Sequence, residues 1–126
     1  MLNSQETKAD RLKHQELSSN YHKLVDGNLI LRQGILSKKV RLVSHRRMFL
    51  LTEGPKFYYI DPLTMSLKGE IPFTRDLKTQ FRDSKVFLVQ VPGRTFHLTD
   101  KDGNSQEWCD TIKQVKHFYF KESEDV

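Results

Sequence analysis

Between Asp26 and Glu53 the chain carries no acidic residue, yet it places Lys38, Lys39, Arg41, His45, Arg46 and Arg47 in one short stretch. Apolar, strand-like runs flank that stretch on both sides, so the cations gather at one end of a predicted hairpin. The chemistry this suits is electrostatic: guanidinium forks match phosphate oxygens bidentately, and ammonium groups act as point charges. Elsewhere lysines and arginines alternate with carboxylates, so the net charge of +5 is concentrated rather than spread. These residues predict a holder of a polyanion.

Covalent chemistry is not indicated. No nucleophile–base pair or paired acids stand out, so no catalytic residue is expected. The single cysteine, Cys109, excludes an internal disulfide and a multi-cysteine zinc site, and reads as a semi-buried helical residue. His14, His22, His97 and His117 have no metal-ligand spacing. Asp100-Lys101-Asp102-Gly103 lacks the remaining ligands of a calcium loop and reads as a turn. Neither metal nor cofactor is expected.

With 126 residues, 37% of them hydrophobic and 29% charged, the chain is predicted to form one domain with a real core. No run approaches the ~18 apolar residues of a membrane span, and the polar start Met1–His14 does not resemble a signal peptide. The expected setting is cytoplasmic, with any membrane contact peripheral.

The elements that must position the cations follow from periodicity. Residues 1–20 form a polar extension in which Thr7-Lys8-Ala9-Asp10 can make a capping box. A helix is predicted there to about Leu17, with a thin apolar stripe of Ala9, Leu12 and Leu17. From Asn28 the chain breaks into short alternating segments: Leu29–Ser37, His45–Thr52, Lys56–Ile60, Leu67–Ile71, an irregular Pro72–Arg82, Lys85–Val91 and Thr95–Thr99. A loop is expected to join the first two. Six or seven antiparallel strands imply a small barrel or sandwich. The period then changes: Trp108, Ile112, Val115 and Tyr119 recur at helical spacing, behind a predicted Asn104 and Glu107 capping box. Residues 21–120 are thus the domain, and residues 121–126, with Glu122, Glu124 and Asp125, a solvated acidic tail.

A lysine closing one strand, then basic-x-Arg opening the next before an apolar run, resembles the pleckstrin homology (PH) family. Here that reads Lys38, then His45-Arg46-Arg47-Met48-Phe49, with Trp108 matching the tryptophan of the family's C-terminal helix. Further blocks are similar to the PH domains attached to serine/threonine protein kinases: Asn28-Leu29-Ile30-Leu31, Leu50–Pro55, Tyr58-Tyr59, Leu67–Pro72, Arg94-Thr95 and Trp108-Cys109. The resemblance implies a mainly β fold: a seven-stranded antiparallel barrel or sandwich capped by a C-terminal helix.

It also implies a ligand. Such domains bind phosphatidylinositol 3,4,5-trisphosphate, the 3,4-bisphosphate and soluble inositol polyphosphates, and recruit a kinase to the plasma membrane. Carried over by position, Lys38 and Arg47 would meet the 3-phosphate, Lys68 the 4-phosphate and Arg94 a phosphate on the other side of the ring. Tyr59 would donate its hydroxyl, and His45 stands where the resemblance expects an arginine. Lys39, Arg41 and Arg46 would rest against the membrane surface. No protein-kinase signature is present, so the chain reads as a non-catalytic module whose partners are phosphoinositides and a kinase domain of a parent chain.

Three other readings stand beside this one. A nucleic-acid binder is not expected, since the cations sit at one end rather than along a stripe. A PH-like peptide-binding module would use a groove between a strand and the last helix. An enzyme has the least support. Self-association through residues 1–20 is left open.

Overall fold

The computed structural model describes residues 6–121; of the acidic tail read at residues 121–126, all but Lys121 lies outside them. Helix α1 (Lys8–Ser18) and a 3-10 turn (His22–Val25) precede seven strands and helix α2 (Ser105–Phe120). The strands are β1 (Ile30–Val40), β2 (Val43–Thr52), β3 (Lys56–Asp61), β4 (Ser66–Glu70), β5 (Lys78–Phe81), β6 (Val86–Val91) and β7 (Arg94–Thr99). They form one antiparallel sheet in the order β4-β3-β2-β1-β7-β6-β5. β1 holds the two halves together, yet it pairs with β7 only through Ser37–Lys39. The sheet therefore folds over itself as a sandwich, with α2 packed against β5 and β6.

Trp108 anchors α2 in the fold. Its ring lies between Phe57, at 6.0 Å, and Phe87, at 6.3 Å, in stacked geometry. Gly34 of β1 admits this packing, since a Cβ there would sit 3.2 Å from the indole. Period-2 alternation puts Leu36, Phe49, Leu51, Phe57, Tyr59, Phe96 and Leu98 into this core. The other face of β2 and β3 is covered too: Leu50, Tyr58 and Ile60 pack with Val25 of the 3-10 turn. Adjacent tyrosines 58 and 59 are consequently both buried, on opposite sides of one strand.

The expected loop between the first two strands is strand instead. Ser37 pairs with Arg46, Lys38 with His45, Lys39 with Ser44 and Val40 with Val43, so the turn is only Arg41-Leu42. Cross-strand pairing carries the hairpin through the basic stretch although polar and apolar residues do not alternate there, and Lys39, Val40, Val43 and Ser44 stand exposed. Arg41 adopts φ 56°, the left-handed region that a two-residue hairpin turn demands.

The two helix ends differ from their sequence patterns in instructive ways. The Thr7 box forms, with Asp10 N–H donating to Thr7 Oγ1 at 3.1 Å and Thr7 N–H to Asp10 Oδ2 at 3.4 Å. At α2, Asn104 occupies the N-cap position but its side chain makes no capping bond. Ser105 takes over by tertiary contact: its hydroxyl donates to the Asp83 carbonyl and its N–H to the Ser84 carbonyl at 3.1 Å. The predicted apolar stripe of α1 is not its docking face either, because Leu17 is 79% exposed.

Gln15 docks the helix. Its amide donates to the Asn28 carbonyl at 2.8 Å and accepts from the Ile30 N–H at 2.7 Å, and Lys8 pairs with Glu53 at 2.6 Å. Gln15→Ala strands a half-buried donor and acceptor, which predicts a loss of about 1–3 kcal/mol in urea unfolding, whereas Leu17→Ala should cost almost nothing.

Candidate functional site

Alternation along four strands brings the predicted cations to one open end of the sandwich. Lys38, His45 and Arg47 share the core-facing side of the β1–β2 hairpin, in line with Leu36, Phe49 and Leu51. On β7, Arg94 lies two residues before Phe96 and on the same face. Lys68, on β4, falls where the β3–β4 register shifts.

The floor of this mouth is aromatic. Tyr59 and Phe96 sit 6.4 Å apart, centroid to centroid. Lys38 Nζ lies 5.0 Å from the Tyr59 centroid and 6.0 Å from that of Phe96, and Arg94 Cζ is 4.2 Å from Phe96. The ring faces are electron-rich and attract both cations. The Tyr59 hydroxyl points at β4, where a Cβ on Gly69 would lie only 2.5 Å from it. Tyr59 thus sits beneath the cluster, 8% exposed, rather than over it.

Among the described residues no carboxylate forms an ion pair with the group. The pairs Lys8–Glu53 and Lys56–Glu70 touch none of Lys38, Arg47, Lys68 and Arg94. Burial pushes the Lys38 ammonium below its ordinary value of 10.5, and the positive charges of Arg94 and Arg47 push it the same way. Asp61 borders the mouth beside His45 and Arg47. The Leu63 N–H donates to its Oδ1 at 2.9 Å, and this bond is the main reason its carboxyl is held below the usual range; Arg47 and Lys68 add to the effect. His45 and Arg47, with Asp61, Pro62 and Leu63, line a slot of about 220 Å³.

The remaining predicted residues are placed differently. Arg46 borders that slot as well, but alternation turns it to the opposite face of the hairpin, where it lines a second slot of about 260 Å³ with Ser37, Thr99, Asp100, Lys101 and Asp102. Lys39 and Arg41 are exposed near the hairpin tip. That tip also carries apolar residues the sequence reading passed over: Leu42 is 96% exposed, and Leu63, on the neighbouring β3–β4 turn, 87%. Phe96 was legible from its two-residue spacing to Arg94, whereas the exposure of Leu63 depends on the turn's shape.

A sequence model of the PH-domain family matches residues 19–121. The chain belongs to the PH-domain family. This PH domain is 39% identical over 123 residues to 3-phosphoinositide-dependent protein kinase 1 of Rattus norvegicus, covering 98% of the chain and 22% of the relative. It is 41% identical over 112 residues to the Homo sapiens kinase of that name, covering 89% and 20%. The chain therefore spans about a fifth of the length of these relatives. In fold it is similar to the C-terminal PH domain of pleckstrin solved in complex with D-myo-Ins(1,2,3,4,5)P5 (TM-score 0.61, 22% identity, 68% of this chain and 97% of that one).

The depressed Lys38 has a thermodynamic consequence. Its folded-state value lies below the unfolded one, so the protonated lysine penalises folding at neutral pH. That penalty is relieved as pH rises through the folded-state value towards 10.5. Lys38→Met should therefore raise the urea midpoint at about pH 7, and the gain over wild type should shrink as pH approaches the ordinary lysine value.

Proposed function

We propose that the domain binds the head groups of phosphatidylinositol 3,4,5-trisphosphate and the 3,4-bisphosphate, and so carries an attached serine/threonine kinase to the plasma membrane. The observation behind this reading is the convergence of Lys38, Arg47, Arg94 and Lys68 on one mouth, with no ion pair to any of them among the described residues. A fold that keeps a buried lysine unpaired beside two arginines leaves its anion to come from outside. Identity of 36–41% to phosphoinositide-dependent kinases supports the lipid class and a kinase-bearing parent.

Magnitudes separate a receptor from a sticky patch. Attraction of about 1 kcal/mol per basic residue to an anionic leaflet gives five residues roughly 5 kcal/mol, or a Kd of about 0.1–1 mM. Charge-assisted hydrogen bonds of about 1.5–3 kcal/mol each carry the complex to micromolar affinity. In this reading Lys38 and Arg47 grip one phosphate, Arg94 and Lys68 flank the ring, and Tyr59 and Phe96 hold Lys38 and Arg94 in place. His45, directly opposite Lys38, adds a ring N–H donor.

The membrane contact extends beyond Lys39 and Arg41. Leu42 and Leu63 stand beside the mouth as two exposed apolar points. Burying each in the bilayer is worth up to about 1.5–3 kcal/mol. Among the described residues no helix is long and apolar enough to cross a membrane, so contact is proposed through these turns.

Liposomes containing each phosphoinositide in turn test the proposal. Wild type should select the 3,4,5-tris- and 3,4-bisphosphate, and Arg47→Ala should lose about tenfold or more, as expected for a charge-assisted bond. Leu42→Ser with Leu63→Ser should weaken liposome binding about tenfold or more while leaving affinity for the soluble head group unchanged. Equal binding to every anionic lipid, unaffected by Arg47→Ala, would reduce the mouth to a basic patch.

A further inference from the structure

We infer that the cleft between α1 and β1 is a second binding site, which takes an extended peptide bearing an acidic group. β1 hydrogen-bonds to β7 only through Ser37–Lys39, so its earlier residues pair on one side alone, with β2. That open edge borders a cavity of about 350 Å³ lined by Leu29, by Ile30–Gln33 of β1 and by Arg11, His14 and Gln15 of α1.

Gln15 demonstrates what the edge accepts. Its carboxamide receives from the Ile30 N–H and gives to the Asn28 carbonyl, the donor–acceptor pair that a neighbouring strand would present. It caps the beginning of the edge and leaves the stretch around Leu31–Gln33 facing the cavity. Unpaired edge backbone is a template for an added strand, and extended peptides bind folded domains in this way.

Charge selects the occupant. Arg32 has a buried Nε with no hydrogen-bond partner, and its guanidinium is fixed 4.7 Å over the Trp108 ring. Arg11 and His14 face it from α1, with Glu6 the one acid on the lining. None of Arg11, Arg32 and Glu6 forms an ion pair among the described residues. Held by its aromatic stack, Arg32 is preorganised to receive a carboxylate or phosphate from a strand laid along the edge. The site lies apart from the mouth, shares no residue with it, and needs α1, which precedes the family-matched residues 19–121.

An array of immobilised random peptides of about eight residues, long enough to follow the edge, tests this. The central position is fixed as glutamate, phosphothreonine or glutamine. The protein should retain at least one acidic set about tenfold better than the glutamine set, the scale of one charge-assisted bond. The stronger of the two acidic sets identifies carboxylate or phosphate as the recognised group. Arg32→Gln should abolish the preference. Arg11→Gln, which leaves the Trp108 stack alone, should reduce it and guards against misfolding of the first variant. Soluble inositol tetrakisphosphate should not displace the peptides. Equal retention of all sets, a preference that survives both substitutions, or displacement by the inositol phosphate would overturn the inference.

Discussion

The candidate site rests on the contact between two aromatic rings and the cations above them. Tyr59 and Phe96 close the end of the core and at the same time present ring faces to Lys38 and Arg94. An unpaired, largely buried ammonium is costly in an apolar setting, and like charges from Arg47 and Arg94 raise that cost. Ring quadrupoles offset part of it without supplying a counter-charge. A carboxylate in place of either ring would stabilise Lys38 more strongly but would also fill the mouth. The aromatic floor keeps the cations in place and available.

Sheet architecture makes that arrangement possible. β1 belongs to both halves of the sandwich, so its Lys38 is the residue at which the hairpin cations and the β7 cation can meet. Trp108 holds the far end of the sandwich shut, stacked between Phe57 and Phe87. One end of the fold is thus closed by an aromatic from a helix, and the other ends in charges. The β1–β7 pairing that joins the halves at Lys38 stops at Ser37, which leaves the earlier β1 edge free beside α1.

Much of this was legible in the residues. Alternation located the strands, helical spacing placed α2 around Trp108, and the acid-free run from Asp26 to Glu53 marked the basic hairpin. Period-2 reasoning also puts Lys38, His45 and Arg47 on one face once the turn is known to be Arg41-Leu42. The turn itself was not legible, because nothing in those two residue types demands φ 56° at an arginine. Gln15 was missed because its value lies in two backbone groups thirteen and fifteen residues away. Asn104 misled for a similar reason: its local capping signal lost to the tertiary bonds that Ser105 makes with the β5–β6 connection.

The central claim is that a phosphorylated inositol enters on the aromatic-floored face of the hairpin. Its most direct test is a nuclear magnetic resonance titration with soluble inositol 1,3,4,5-tetrakisphosphate, following backbone and side-chain nitrogens. The account predicts shifts concentrated at Lys38, His45, Arg47, Lys68 and Arg94. Shifts centred instead on Ser37, Arg46, Thr99 and Lys101, the slot on the opposite face, would contradict it.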